Sequence, residues 1–401
     1  MTSPDTSRQE RDWATLLPTF DMFDEAHEEW KYDGFAYARE HCPIIHGSPP
    51  STGPRTIVTR YADVRQILED PATFSSAGAP PIPAPIRLGA LDADAPEHTA
   101  FRRLLNPVFT RNFALQFEAE MRQYARELIE NWIDRGEVDM LGEFASPFVA
   151  RILARMVFDE TDPAAMDRAK RVVIRVAESP DDEGFFDLAV LSAEYLAEAI
   201  DNPPEHEGML RALVTGEFLD GKPMTEEQAM GAIASTFLGG LDTSRSAIAG
   251  ICLLMAQQPE LEARVRDPKW IRNDMDEFVR LISPVASLGR IATKDTEVGG
   301  CPVKAGEHLL LRFDSANRDE AKFAKADELQ FDPPRTGTAG FGLGVHRCIG
   351  MHLARVQMAV AMEELLSRIT NLRLAVTAEE ISWAPGIANC PHAVPLLFDK
   401  V

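Results

Sequence analysis

The sequence predicts one mainly α-helical domain with small β-sheets and a long helix through its centre. Three observations lead there. Apolar residues recur three and four apart from residue 96 to about 209, and again from 225 to about 288. The stretch 230–257 is the longest and most apolar of these segments, with Ile233, Phe237, Leu241, Ile248 and Leu253 at positions suited to burial. Short strand-like runs fall towards the two ends of the chain, at 56–59, 309–311 and 394–397. No repeat or low-complexity linker divides the 401 residues, so a single domain over 1–401 is expected, with a short flexible N-terminus over about 1–15.

Taken in order, 23–37 reads as an amphipathic helix, 43–54 as a loop, 56–59 as a strand and 61–68 as a helix. The Pro-rich stretch 78–85 reads as a loop. Asp94, an acidic cap candidate, and the early Pro96 open a helix that places His98 and Arg102 four residues apart on one face. Acidic loops at 159–163 and 179–184 interrupt the helical middle. At about 1.5 Å per residue, 230–257 runs roughly 40 Å, enough to cross the domain. It contains Gly239 and Gly240, each disfavoured in a helix by up to about 1 kcal/mol relative to alanine. Two such residues together need a reason. A helix over 271–282 follows, then short strands within 297–311, an amphipathic helix over 353–366 and strands within 372–398.

The formal charge of −22, from 63 acidic and 41 basic side chains, repels nucleic acid and makes any local cluster of arginine and histidine informative. No stretch approaches the 18 or so consecutive apolar residues of a membrane span. The first residues carry Asp5, Glu10, Arg11 and Asp12 without a basic start and an apolar run, so a cytoplasmic, membrane-free protein is expected. The five cysteines, Cys42, Cys252, Cys301, Cys348 and Cys390, form no C-x-x-C pair and are odd in number. They give little support to a disulfide framework or a four-cysteine zinc site. One cysteine can still bind a metal that brings its other ligands. Dinucleotide, phosphate-loop, zinc-protease and serine-elbow motifs are absent.

The segment Phe341-Gly342-Leu343-Gly344-Val345-His346-Arg347-Cys348-Ile349-Gly350 stands immediately before the helical pattern from Met351. Its glycines permit tight turns and close approach of backbone to a flat ligand, and a helix start just after Cys348 favours a thiolate. An inert buried thiol, the reading that suits Cys252, needs neither the glycines nor the adjacent His346 and Arg347. The segment resembles the haem-binding loop of cytochromes P450, matching at Phe341, Gly344, His346, Cys348 and Gly350.

That resemblance implies the cytochrome P450 fold, with its long central helix over haem b (iron protoporphyrin IX) and Cys348 as the iron ligand. It extends to His98, Arg102, Arg290 and His346 as contacts to the haem propionates, buried carboxylates that need such donors. Glu277 and Arg280, an E-x-x-R pair, join Arg335 as a structural triad behind the cysteine loop. Asp242 and Thr243 match the family's acid and alcohol in oxygen activation. The residues alone leave plainer readings open: an ordinary helical salt bridge for Glu277 and Arg280, a surface salt bridge for Asp242, and a hydroxyl of Thr243 bonded back to its own helix.

The implied activity is a monooxygenase acting on a small, largely hydrophobic substrate with dioxygen and two electrons. No reductase segment is visible, so electrons are expected from a ferredoxin, or a flavodoxin, with an NAD(P)H-dependent reductase. Arg102, Arg103, Arg347 and Arg355 are expected to form the basic docking patch. A peroxide-dependent haem-thiolate enzyme and a non-catalytic haem sensor are the alternatives; retention of Asp242 and Thr243 favours dioxygen over peroxide. Position relative to the motifs places Arg87 and Leu88 in a roof loop over 80–88, and adds Phe185, Phe186, Ser235, Leu238, Gly239, Val285, Leu288, Ile387 and Ala388 to the pocket. Most are apolar. Arg87 keeps an acidic substrate open, and Phe185 and Phe186 suit a core role equally well. A monomer is expected.

Overall fold

The helical segments pack around Glu226–Gln257, which the computed structural model carries through the middle of the domain. The structure describes residues 11–79, 85–178 and 181–401, without the side chains of 177–178 and 268–270. Residues 1–10, the 80–84 part of the expected roof loop and 179–180 of the second acidic loop lie outside the described residues. Four helices position the site: α1 (Glu97–Leu105), α2 (Glu226–Gln257), α3 (Pro268–Ile282) and α4 (Met351–Leu366).

A capping box starts α2. The Gln228 N–H donates to Thr225 Oγ1 at 3.2 Å, while the Thr225 N–H donates to the Gln228 side chain at 3.0 Å. The helix is long and apolar enough to cross a membrane by length and composition, but most of that surface is buried inside the domain. Gly231 allows the chain at 87–89 to cross it closely: a Cβ there would stand 2.8 Å from the Arg87 carbonyl oxygen. The Gln228 side chain also donates to Glu97 at 2.8 Å, tying the start of α2 to the start of α1.

The main sheet contains β1 (Ile44–Gly47), β2 (Arg55–Val58), β3 (Phe74–Ser75), β4 (Ser287–Ala292) and β5 (His308–Arg312), in the order β1-β2-β5-β4-β3. Only β2 and β5 run parallel. Alternation along β4 puts Leu288 and Arg290 on the same face. A three-stranded sheet joins Glu137–Asp139, Pro395–Lys400 and Ile369–Leu374, and two short hairpins complete the β-structure.

An ionic network holds α3 and α4 to the helix Glu118–Glu130. Glu118 accepts from Arg122 and Arg272, each at 2.8 Å, and Glu363 accepts from Arg272 at 2.9 Å. Glu364 accepts from Arg122 and Arg126, each at 2.8 Å.

Three local expectations change. The helix expected over 23–37 is a short 3-10 turn at Glu25–His27 followed by a helix at Lys31–His41, because the Asp24 carboxylate accepts from the Ala26 N–H and turns the chain first. The loop expected over 43–54 contains β1, which its pairing with β2 holds extended. Asp94 does not cap α1 with its side chain; that carboxylate accepts from Ser75 Oγ and, at 2.9 Å, from the Ser76 N–H.

Candidate functional site

The cysteine loop is shaped by backbone contacts. Gly344 has φ +68°, and a Cβ there would stand 2.1 Å from the Leu68 carbonyl oxygen, so only glycine fits. The Cys348 N–H donates to the Phe341 carbonyl at 2.8 Å, closing the loop just before α4. Burial pushes the Cys348 thiol pKa up, while the Gly350 N–H and the charges of Arg102, Arg355 and Arg347 act to lower it. Its side chain nevertheless has accessible surface. Cys252, by contrast, is wholly packed and its thiol is pushed up to about 12.

Beside this loop the fold gathers nitrogen donors from α1, β4 and the loop itself. The imidazoles of His98 on α1 and His346 lie with ring centroids 4.1 Å apart. His346 Nε2 is 3.0 Å from Ser76 Oγ. Arg102 donates to the Arg347 carbonyl at 2.9 Å. Arg290 comes from β4 and is only 5% exposed, yet its guanidinium's one hydrogen bond among the described residues is to the neighbouring Gly289 carbonyl at 2.6 Å. Burial lowers its pKa to about 10, with Asp94 pulling the other way. His346 is lowered to about 3, by burial first and then by Arg290 and His98. A buried guanidinium without a carboxylate partner among the described residues, next to two imidazoles, is an incomplete charge arrangement that an anionic group would complete. The chemistry of this donor set fits the two carboxylates of a haem.

Behind the loop, Glu277 accepts from Arg280 and Arg335, each at 2.8 Å, and all three side chains are nearly inaccessible. Arg280 also donates to the carbonyls of Asn317 at 2.7 Å and Ala326 at 2.6 Å, so it holds that meander as well as Glu277.

On α2, Gly239 is exposed in the middle of a buried helix, and a Cβ there would meet nothing within 4 Å. This open face gives the glycine its purpose. Thr243 donates its hydroxyl hydrogen to the Gly239 carbonyl at 2.7 Å, the plainer of the arrangements open to it. Asp242 is paired with Arg245 at 2.6 Å, and this pair is buried rather than on the surface.

The expected pocket residues divide. The Ala286 N–H donates to the Ile387 carbonyl at 2.7 Å and Val285 forms a bridge with Ala388, so the backbone brings these two expected pocket segments side by side, while Leu288 packs half-buried on β4. Ser235 and Leu238 lie on α2 near Gly239, with Ser235 Oγ donating to the Ala232 carbonyl at 3.1 Å. Leu88 is buried where its loop crosses α2. Arg87 is not a free anchor for an acidic substrate: it pairs with Glu97 at 3.0 Å and lies 3.7 Å from Asp92. Phe185 is 2% exposed in the core, whereas Phe186 is 65% exposed, so the two do not act as a pair.

Two arginines of the expected docking patch are also committed elsewhere. Arg103 donates to the Phe218 carbonyl, and Arg355 pairs with Asp276 at 2.6 Å while lying over the Phe341 ring. Sequence reasoning missed Ser76, Asp94 and Arg245. Long-range strand pairing brings Ser76 to His346, and no local pattern reports it; Arg245, three residues after Asp242, was legible as an i,i+3 partner. Among the described residues no group of three or more His, Cys, Asp and Glu is arranged to hold a metal ion.

The family model for Cytochrome P450 matches residues 271–374, which include α3, β4, β5 and the cysteine loop. The nocardicin C N-oxygenase of Nocardia uniformis subsp. tsuyamanensis is 30% identical over 388 residues, covering 92% of this chain and 95% of that protein. Cytochrome P450-SU2 of Streptomyces griseolus is 31% identical over 363 residues, covering 85% and 87%. The structure of a mutant of P450 EryK in complex with erythromycin B aligns with TM-score 0.83 at 26% identity, over 93% of this chain and 97% of that one. With relatives at this identity aligned over nearly their whole length, and with the same fold, the chain belongs to the bacterial cytochrome P450 superfamily.

Proposed function

We propose that the chain is a haem-thiolate monooxygenase that oxidises a small, largely hydrophobic organic substrate with dioxygen and two electrons from a ferredoxin. One oxygen atom enters the substrate; the other leaves as water with two protons. The observation that carries this reading is the buried Arg290, without a carboxylate partner among the described residues, beside His98 and His346 at the loop on which Cys348 is accessible.

In this reading Cys348 holds the iron, and Arg102, His98, Arg290 and His346 hold the propionates. The bound haem would supply the reduction of dioxygen and the transfer of an oxygen atom. The remaining work falls to the chain. Gly239 leaves room for the substrate, Asp242 and Thr243 handle protons, and the apolar side chains of Val285, Leu288, Ile387 and Ala388 exclude water and orient an apolar molecule. Neutralisation of Arg87 by Glu97 and Asp92 supports a neutral substrate. Nocardicin C and erythromycin B, in the names of two of the similar proteins, are consistent with substrates of varied skeleton.

The carbon monoxide difference spectrum of the reduced protein tests the ligation. A red-shifted thiolate band is expected, and its replacement by a histidine-type band in a folded, haem-loaded sample would sink the proposal. Cys348→Ala should abolish that band and lower monooxygenase turnover by at least about 100-fold.

A further inference from the structure

An α-helix turns about 100° per residue, so around α2 Thr243 lies about 40° to one side of Gly239 and Asp242 about 60° to the other. Both therefore flank the open face. Arg245 stands about 120° from Gly239 on the Asp242 side, and so reaches the carboxylate from the packed side of the helix. The contacts agree with this placement. Arg245 Nε is 2.8 Å and Nη2 is 2.6 Å from Asp242, and both fall on Oδ1. No described residue donates a hydrogen bond to Oδ2. The Arg245 and Asp242 side chains are only 4% and 6% exposed.

The neighbouring hydroxyl adds a second constraint. Thr243 has given its hydrogen to the Gly239 carbonyl, so in this geometry it offers the open face lone pairs and no proton. The adjacent atom able to accept and pass on a proton is Asp242 Oδ2. A buried ion pair is a poor way to gain stability alone, because well-packed apolar residues do as well or better. Holding one oxygen of a carboxylate while leaving the other unengaged is a task for which apolar residues cannot substitute.

We infer that Arg245 is the positioning residue for Asp242, fixing Oδ1 on the packed side of α2 so that Oδ2 serves the open face beside Thr243. This rests on the haem-thiolate reading above and assigns the proton path a part that the acid and alcohol alone do not supply.

The test needs no known substrate. Dioxygen that takes up two electrons and two protons leaves as hydrogen peroxide; with four electrons and four protons it becomes two waters. The share of consumed dioxygen recovered as peroxide therefore reports how promptly the later protons arrive. Electrons are supplied to the haem-loaded protein photochemically, from a flavin with a sacrificial donor, so that no protein partner is required; the peroxide that the reduced flavin makes from dioxygen directly is measured with haem-free protein and subtracted. Arg245→Met should raise the peroxide share about threefold or more and slow dioxygen consumption about tenfold, and Arg245→Lys should restore most of both. An unchanged peroxide share in Arg245→Met, or no recovery in Arg245→Lys, overturns the inference.

A cycle of thermal unfolding midpoints reads the pair without turnover. Asp242→Asn with Arg245→Met should lose less than the sum of the two single variants; additive losses overturn the pairing. Should Arg245→Met fail to fold, Arg245→Gln, which keeps Asp242 and removes only the charged fork, carries the peroxide measurement, with the same expected rise and the same overturning result. The carbon monoxide band is recorded for every sample. Its absence from the unaltered protein counts against the haem-thiolate reading, whereas a normal band with an unchanged peroxide share counts against Arg245 alone.

Discussion

Gly239 and Gly240 are neighbours in α2, yet an added methyl group would meet opposite surroundings. At Gly239 a Cβ has open space, whereas at Gly240 it would lie 2.7 Å from the Leu153 side chain, itself buried in the core. Gly239→Ala should therefore stabilise the protein by up to about 1 kcal/mol through helix propensity. Gly240→Ala should cost about 1–3 kcal/mol through overpacking, offset only in part by the same propensity. Chemical denaturation of the two variants gives the comparison, and equal losses would remove the open face as the explanation of Gly239. Binding of a bulky azole should weaken only for Gly239→Ala among variants that fold normally. At this scale the sequence carried the cysteine loop and the need for room beside Gly239, because fixed residue types at fixed spacing express local geometry. It did not distinguish Phe185 from Phe186, whose separation depends on how the helix Asp182–Asp201 rolls against its neighbours. Nor could it show that Arg87 is neutralised, since Asp92 and Glu97 reach it only once the loop has crossed α2.

The helix Glu118–Glu130 is joined to α3 and α4 by carboxylates whose protonation should be visible in stability. Arg272 first, with Arg122, holds the Glu118 carboxyl down at about 2, against 4.5 for an unperturbed glutamate. A folded-state pKa below the unfolded one adds stability that is fully present above about pH 4.5 and is lost as pH falls through about 2. The partly buried position makes this contribution on the order of 2–3 kcal/mol. Glu118→Gln should thus lower stability at pH 7 and flatten the loss between about pH 5 and pH 3. Urea midpoints across that range check both; a variant with the same acid slope as the parent would show that the network does not hold these helices. The elements themselves were largely legible, since α2 and α4 follow apolar spacing and β4 and β5 follow short alternating runs. What escaped was set from a distance. The extended form of β1 comes from pairing with β2, which in turn pairs with β5 about 250 residues away.

Across the whole molecule, a charge of −22 bears on the encounter with the ferredoxin of the proposed reading, which a basic docking patch would require to be acidic. Long-range repulsion would slow their encounter unless a local positive surface lies near the cysteine loop. Arg103 and Arg355 are poor choices for it, because a carbonyl and Asp276 already engage them. Arg111 and Arg347 are exposed and have no carboxylate partner among the described residues. Both act electrostatically on His352, in the second position of α4, and Arg111, His352 and Arg355 line a cleft of about 300 Å³ on that side. Arg111→Ala and Arg347→Ala should therefore slow reduction by an acidic ferredoxin several-fold at low ionic strength, and the difference should shrink as salt shortens the Debye length from about 30 Å at 0.01 M to about 8 Å at 0.15 M. Arg103→Ala and Arg355→Ala should change unfolding midpoints more than the salt dependence of reduction. Stopped-flow reduction under carbon monoxide, followed over a salt series, separates the two pairs. Equal rates for Arg111→Ala, Arg347→Ala and the parent at low salt would move the donor's approach away from this face, and photochemical reduction of the same samples shows whether any slowing belongs to the encounter or to the haem site itself.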